Sequence, residues 1–313
     1  MGRLDVARAA VGSLLTAGQQ IRGVHDELDA LRTQLGGMES RLVATLPPSA
    51  IRDAEFTVFS QFGEDGILQF LVQRVPVERD VFVEFGVEDY HESNTRFLLV
   101  HDNWRGLIID GGRGHLEYLR STALGWRHQI DGVSAFIDRD NINDLIRSAG
   151  IEGDIGLLSV DIDGNDYWVL ERIDVVSPRI LSVEYNSTFG PEAAVTVPYD
   201  PGFVRSEHHA SSLYWGASLA ALTRLADRKG LALVASNRAG NNAFFVRRDV
   251  LGEIPELTVA EAYADSRFRE SRGPDGELTY VSDHRDRLAL LAEMPLWDLD
   301  REATVTIAER YAL

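Results

Sequence analysis

The 313-residue chain contains no cysteine, which excludes a disulfide framework and any thiolate-bound metal and leaves the redox compartment open. It has no apolar run approaching the roughly 20 residues of a membrane span. Its N-terminus shows no basic, apolar and small-residue pattern of a secretory signal. A cytoplasmic location is the resulting expectation. Lysine is nearly missing too: Lys229 is the single one among 31 basic residues, set against 49 acidic residues for a net charge of −18. Such a balance argues against duplex nucleic acid or an anionic membrane as partner. Internal repeats and low-complexity tracts are likewise absent. Apolar residues make up 44% of the chain, enough for a large core in one α/β domain with an appendage.

Residues 1–46 stand apart. Leu14, Ala17, Ile21, Val24, Leu28, Leu31, Leu35, Met38 and Leu42 alternate by three and four, the seam of a heptad helix, flanked by Glu27, Arg32, Glu39 and Arg41. This predicts a homo-oligomer formed through the N-terminal helix. Gly36-Gly37 is expected to weaken its last turns, and Pro47-Pro48 marks the boundary. Residues 50–313 read as the main domain, with a helical, charged extension over about 252–313.

Within that domain the signals alternate. Ser60 is placed to cap a helix with the apolar face Ile67, Leu68, Leu71, Val72 and Val75. Val81-Phe82-Val83 reads as a strand buried on both faces, followed by a helix over roughly 93–101 and a second strand, Gly106–Gly111. Further strands are expected within Arg127–Ile137, at Ile155–Asp161 and at Arg179–Tyr185. Helices are expected at Gly114–Leu124, Asn141–Ala149 and Leu213–Lys229. Leu231–Ser236 and Ala243–Arg247 then form a hairpin around the turn-rich Asn237–Asn242. The order implies a Rossmann-like, mostly parallel sheet with one antiparallel strand at the C-terminal hairpin.

The chemistry gathers at strand ends. Glu84 and Gly86 follow the first strand: the glycine allows close backbone approach and the acid can meet a charged or hydroxylated ligand. Asp110 directly after the second strand can accept hydrogen bonds from two ribose hydroxyls. Asp161 or Asp163 after the fourth strand and Glu184 and Asn186 after the fifth could converge on a hard cation such as Mg²⁺. A calcium loop is excluded, since counting from Asp161 the glycine is fourth and the twelfth residue is Arg172. His208, in a loop before the long helix, is a candidate general base. Tyr214 and Trp215 could line a substrate face. Neither Glu84-Phe85-Gly86 nor Gly111-Gly112-Arg113-Gly114 makes the G-x-G-x-x-G fingerprint of a dinucleotide site. That favours a mononucleoside such as S-adenosylmethionine.

SQFGEDGI at 60–67, VEFGV at 83–87, SNT at 93–95, LIIDG at 107–111, NIN at 141–143, VDIDGNDYW at 160–168 and VEYN at 183–186 together form a pattern. With YWGASLAAL at 214–222 and NNAFFVRRD at 241–249, it resembles the FkbM-like S-adenosylmethionine-dependent methyltransferases over roughly residues 55–300. The resemblance implies a class I methyltransferase fold that methylates hydroxyls of sugars, glycans or natural products. It places the donor's amino-acid end near Glu84, Gly86, Asn94 and Thr95, the ribose near Asp110 and Gly111, and the adenine near Phe136 to Asp138. Gln61 and Glu64 would close the pocket. Asp161 with Glu184-x-Asn186 is similar to the metal arrangement of catechol-type O-methyltransferases, with one residue separating acid and asparagine.

The expected activity is therefore O-methyl transfer from S-adenosylmethionine to a sugar, glycan or natural-product hydroxyl. Asp161 and Glu184 would orient the acceptor directly or through Mg²⁺, with His208 as base. Two rivals stand beside it. A nicotinamide-dependent oxidoreductase is disfavoured by the missing glycine fingerprint. A non-catalytic coiled-coil assembly protein with a retired methyltransferase domain would need no polar cluster at the strand ends.

Overall fold

The computed structural model describes residues 3–266 and 268–313, with the side chains of residues 3–17, 19 and 22 outside that description. The chain opens with a 41-residue helix, α1 (Arg3–Val43), and then α2 (Glu64–Val72). Alternation follows: β1 (Val81–Phe85), α3 (Arg96–His101), β2 (Arg105–Asp110), α4 (Gly114–Ser121), α5 (Leu124–Arg127) and β3 (Ile130–Ser134). Next come α6 (Ile142–Ser148), β4 (Gly153–Val160), α7 (Asp166–Arg172), β5 (Val176–Glu184), β6 (Val195–Thr196) and α8 (Arg205–His208). The remainder is α9 (Leu219–Arg228), β7 (Leu231–Ser236), β8 (Asn242–Arg247), α10 (Val259–Ala262), α11 (His284–Leu290), β9 (Pro295–Asp298), β10 (Ala303–Thr306) and α12 (Ile307–Tyr311).

Seven strands form one sheet in the order β3-β2-β1-β4-β5-β8-β7, and β8 alone runs antiparallel to its neighbours. This is the Rossmann-like α/β class expected from the sequence. β1 lies centrally, and its pleat explains its apolar run. Val81, Val83 and Phe85 enter the core on one face of the sheet, and Phe82 enters the core on the other. The strand order reverses direction between β1 and β4, so the crevice beyond their carboxyl ends is the natural ligand position.

The structure corrects several local expectations. Ser60 does not cap α2: its hydroxyl donates to Asp65 Oδ2 while accepting from the Asp65 amide, and Gly63 occupies the cap position. The helix expected from Leu213 begins only at Leu219, because Gly216 takes a positive φ and Ser218 caps, accepting from the Ala221 amide. The C-terminal extension is not purely helical. β9 and β10 form a hairpin that pairs with β6 in a second, antiparallel sheet, over a core including Phe189, Leu213, Leu288 and Leu296.

Gly36 and Gly37 do not end α1, which runs on to Val43. A β-carbon on Gly36 would stand 2.4 Å from Val58 Cγ2, and one on Gly37 would stand 2.9 Å from His101 Nε2. The two glycines let the helix press against the body. Ser40 donates to Gln69 at 2.7 Å, and Arg96, lying over the Phe59 ring, donates to Asp29 at 2.5 Å. The heptad seam faces the other way, and its side chains from Ile21 to Leu42 are exposed. Leu14 and Ala17 of the seam lie outside the described side chains. Among the described residues, no helix is long and apolar enough to cross a membrane.

Candidate active site

A cavity of ≈720 Å³ opens at the carboxyl ends of β1, β2, β4 and β5, and Glu84, Asp110, Asp161 and Glu184 all line it. Its size falls within the range of small-molecule sites.

Glu84 is spent on holding the wall. Its Oε1 accepts from the Asn94 amide at 2.8 Å, and its Oε2 accepts from the Thr95 amide at 3.2 Å and from the hydroxyls of Ser93 and Thr95. Burial pushes its carboxyl up, against the pull of those donors. The loop after β1 is thereby tied back to the strand that launched it. Gly86, at φ +74°, sits so close to the end of β4 that a β-carbon there would stand 1.4 Å from the Asp161 carbonyl oxygen. Only glycine fits. Asn94 lines the cavity and donates to Ser159 at 3.1 Å. Thr95 does not line it: fully buried, it is a support for Glu84 rather than a wall residue.

Asp110 accepts from the Glu88 amide through Oδ2 at 2.9 Å and from the Gly112 amide through Oδ1 at 2.6 Å. A carboxylate oxygen has two lone pairs, so both oxygens keep acceptor capacity toward the cavity. Gly111 and Phe136 follow along the same wall, and the Phe136 ring is 52% exposed, an apolar face open to a flat partner. Asp138 does not line the cavity. Its Oδ1 accepts from the Asp140 and Asn141 amides and shapes the turn into α6. At the mouth, Gln61 donates to Glu92 at 2.9 Å, linking two loops. Glu64 is buried in the wall, accepting from Asn237, Asn242 and the Phe62 amide.

Beyond the register pair Val160–Val183, Asp161 and Glu184 follow side by side on neighbouring strands and line the same cavity. Two neighbouring carboxyls each disfavour the other's ionisation. Burial, reinforced by the charges of their acidic neighbours, holds both well above the usual carboxylate range. Glu184 Oε2 is buried with no donor of its own. Asp163, at φ +56°, lines the same cavity but is engaged in an ion pair with Arg205 at 2.8 Å. Asp166, at the start of α7, accepts from the Ile162 and Gly164 amides and ties the loop after β4; burial raises its pKa to about 6.

Of the residues read as metal ligands, Asp161, Asp163 and Glu184 line the cavity and Asn186 does not. Asn186 is buried with both amide atoms engaged: it donates to the Leu213 and Trp215 carbonyls and accepts from the Thr188 amide. Asp163 is held by Arg205. Among the described residues no group of three or more metal-ligating side chains is placed to hold an ion.

His208 is corrected as well. It does not line the cavity; its ring stacks on Phe203 at 4.0 Å, with Nδ1 on the Val204 carbonyl and Nε2 3.2 Å from Asp200. Tyr214 donates to the Pro295 carbonyl inside the second core, whereas Trp215 lines a smaller chamber. That chamber, of ≈180 Å³, abuts the main cavity and shares Gln61, Glu184, Arg205, Asn241 and Glu270 with it. Sequence reasoning missed Arg205, Asn241 and Phe268 in these walls. The asparagine cluster at 237–242, given no site role from the sequence, was the available signal.

No protein-family model matches the chain, and no curated protein does. Solved structures share its chain path distantly. An O-methyltransferase family protein from Burkholderia thailandensis is 11% identical with a TM-score of 0.36, over 71% of this chain and 59% of that one. An S-adenosylmethionine-dependent methyltransferase from Clostridium acetobutylicum is 9% identical at 0.37, over 58% and 89%. The CurJ carbon methyltransferase is 9% identical at 0.39, over 71% and 70%. Likeness at this level adds nothing to the chemistry, which is decided by the chain's own residues.

Proposed function

We propose that the protein is an S-adenosylmethionine-dependent methyltransferase of the FkbM-like kind, acting on an acceptor hydroxyl of a sugar, glycan or natural product. One observation carries the reading: Glu84, Asp110, Asp161 and Glu184, from four adjacent strand ends, face one cavity around a glycine that no other residue could replace.

The cavity suits an adenosyl group in its donor set. Asp110 has lone pairs to spare for two ribose hydroxyls, and the open Phe136 face can lie against a purine. Gly86 and Asn94, braced by Glu84 and Thr95, offer backbone and amide groups to the amino-acid end. When bound, S-adenosylmethionine supplies a methyl carried on a sulfonium. The protein's part is positioning and proton handling. Glu184 stands where the main cavity meets the smaller chamber, so an acceptor hydroxyl entering from the Trp215 and Phe268 side reaches the Asp161–Glu184 pair first. In its ionised state that pair accepts the hydroxyl proton, the role first assigned to His208. The raised affinity of these carboxyls for protons brings the base toward working pH.

Support for the methyl donor over a dinucleotide comes from the absent glycine fingerprint and from the single glycine bend at β1. Incubation with S-adenosylmethionine carrying a labelled methyl and a panel of polyhydroxylated acceptors tests the reading. Label should move to an acceptor with wild-type protein and not with Asp161→Ala. Equal labelling by both proteins, or oxidation of a reduced nicotinamide instead, would reject it.

A further inference from the structure

Helix α1 has two faces of opposite chemistry. Asp29, Gly36, Ser40 and Val43 lie against the body of the same chain. The apolar seam lies across the helix from them. With Ile21, Leu28, Leu35 and Leu42 at heptad position a, and Val24, Leu31 and Met38 at d, the docked residues fall at b and f. Those are the positions that point away from a coiled-coil partner. Each of the seven seam side chains is between 47% and 61% exposed.

We propose that this seam is covered by the same seam of a second copy, in a parallel two-stranded coiled coil. A strict three-four spacing leaves a row of knobs and holes that another helix of the same pitch fills. The charges select the copy and its direction. Glu27 occupies a g position and Arg32 the e position five residues on, so a parallel pair sets Glu27 of each chain against Arg32 of the other, twice over. Turning one helix around while keeping the whole seam paired brings Arg32 beside its own symmetry mate. The area is adequate. Seven half-exposed apolar side chains on each copy bring on the order of 1,400 Å² together, within the size of stable specific interfaces. Because the docked face points outward, the two catalytic bodies sit on opposite flanks of the pair and leave the seam clear.

Sedimentation of the full chain tests this. At about 50 µM the wild type should have the mass of two chains, and Leu28→Glu with Leu31→Glu should have the mass of one while keeping its circular dichroism. Glu27→Arg should raise the dissociation constant about 5–10-fold, and adding Arg32→Glu should restore it. Since the chain has no cysteine, Val24→Cys gives a clean reading of direction, and mild oxidation should link the two copies. A wild type with the mass of one chain would overturn the proposal, leaving a different partner for the seam. So would a two-chain mass that survives both glutamates, or a dimer that Val24→Cys fails to cross-link.

Discussion

The carbonyl oxygen of Asp161 lies 1.4 Å from the point where a β-carbon on Gly86 would stand. This contact joins the turn after β1 to the end of β4, so the proposed donor wall and the acidic pair are set by one another. Gly86→Ala must push the strands apart or abandon its positive φ. We expect a loss of stability of about 2–3 kcal/mol and at least a tenfold weaker affinity for S-adenosylhomocysteine. Denaturant midpoints and calorimetry check both; unchanged values would show that the turn has room to move.

The Asp161–Glu184 pair predicts a pH profile. Both carboxyls are neutral at low pH and titrate above the ordinary carboxylate range, because burial and neighbouring acids disfavour their charge. The rate should therefore rise with pH along a limb lying above that range. Glu184→Gln removes one of the two charges, so the limb should shift to lower pH. Asp161→Asn should reduce kcat by about 10²–10⁴-fold, the usual contribution of a positioned base. A limb that stays in place in Glu184→Gln would contradict the coupling.

Phe136 separates nucleoside contact from structural support. Its ring is half exposed at the cavity wall, so Phe136→Ala removes little packing from the fold. We expect about a tenfold loss of affinity for S-adenosylhomocysteine, from lost stacking and burial, with an unchanged denaturant midpoint. A large fall in stability with normal affinity would place the ring in the fold instead.

Stability should be greater at pH 5 than at pH 7.5. Asp65 and Asp166 are buried, and burial lifts each to about 6, above the value near 4 of a free aspartate. Below pH 4 both states hold these protons. As pH rises to 6 the unfolded chain ionises first, and the folded state loses on the order of 2–3 kcal/mol per group. The loss is complete once pH passes the folded values. Urea midpoints at the two pH values measure the difference, which should shrink in Asp166→Asn. An equal difference in wild type and variant would contradict the assignment.

The parallel sheet was legible because strands such as β1 and β4 are buried on both faces and appear as apolar runs stopped by an acid. For the same reason Asp110, Asp161 and Glu184 could be placed at strand ends and expected in one crevice. Side chains in loops carry no such periodicity. Nothing local distinguishes His208, which stacks on Phe203 away from the cavity, from a histidine inside it. Nor could spacing show that Asn186 spends its amide on Leu213 and Trp215. The second sheet escaped notice because β6 is two residues long and meets its partner β9 about a hundred residues later. Gly36 and Gly37 read only as a weak stretch of helix because propensity is local, whereas the contact they permit is tertiary.

Titration calorimetry with S-adenosylhomocysteine tests the central claim most directly. The wild type should bind one equivalent with a Kd below about 100 µM, roughly −5.5 kcal/mol, and Asp110→Ala should bind at least tenfold more weakly. No heat at 100 µM ligand, or equal binding by the two proteins, would contradict an adenosyl site at the ends of β1 and β2.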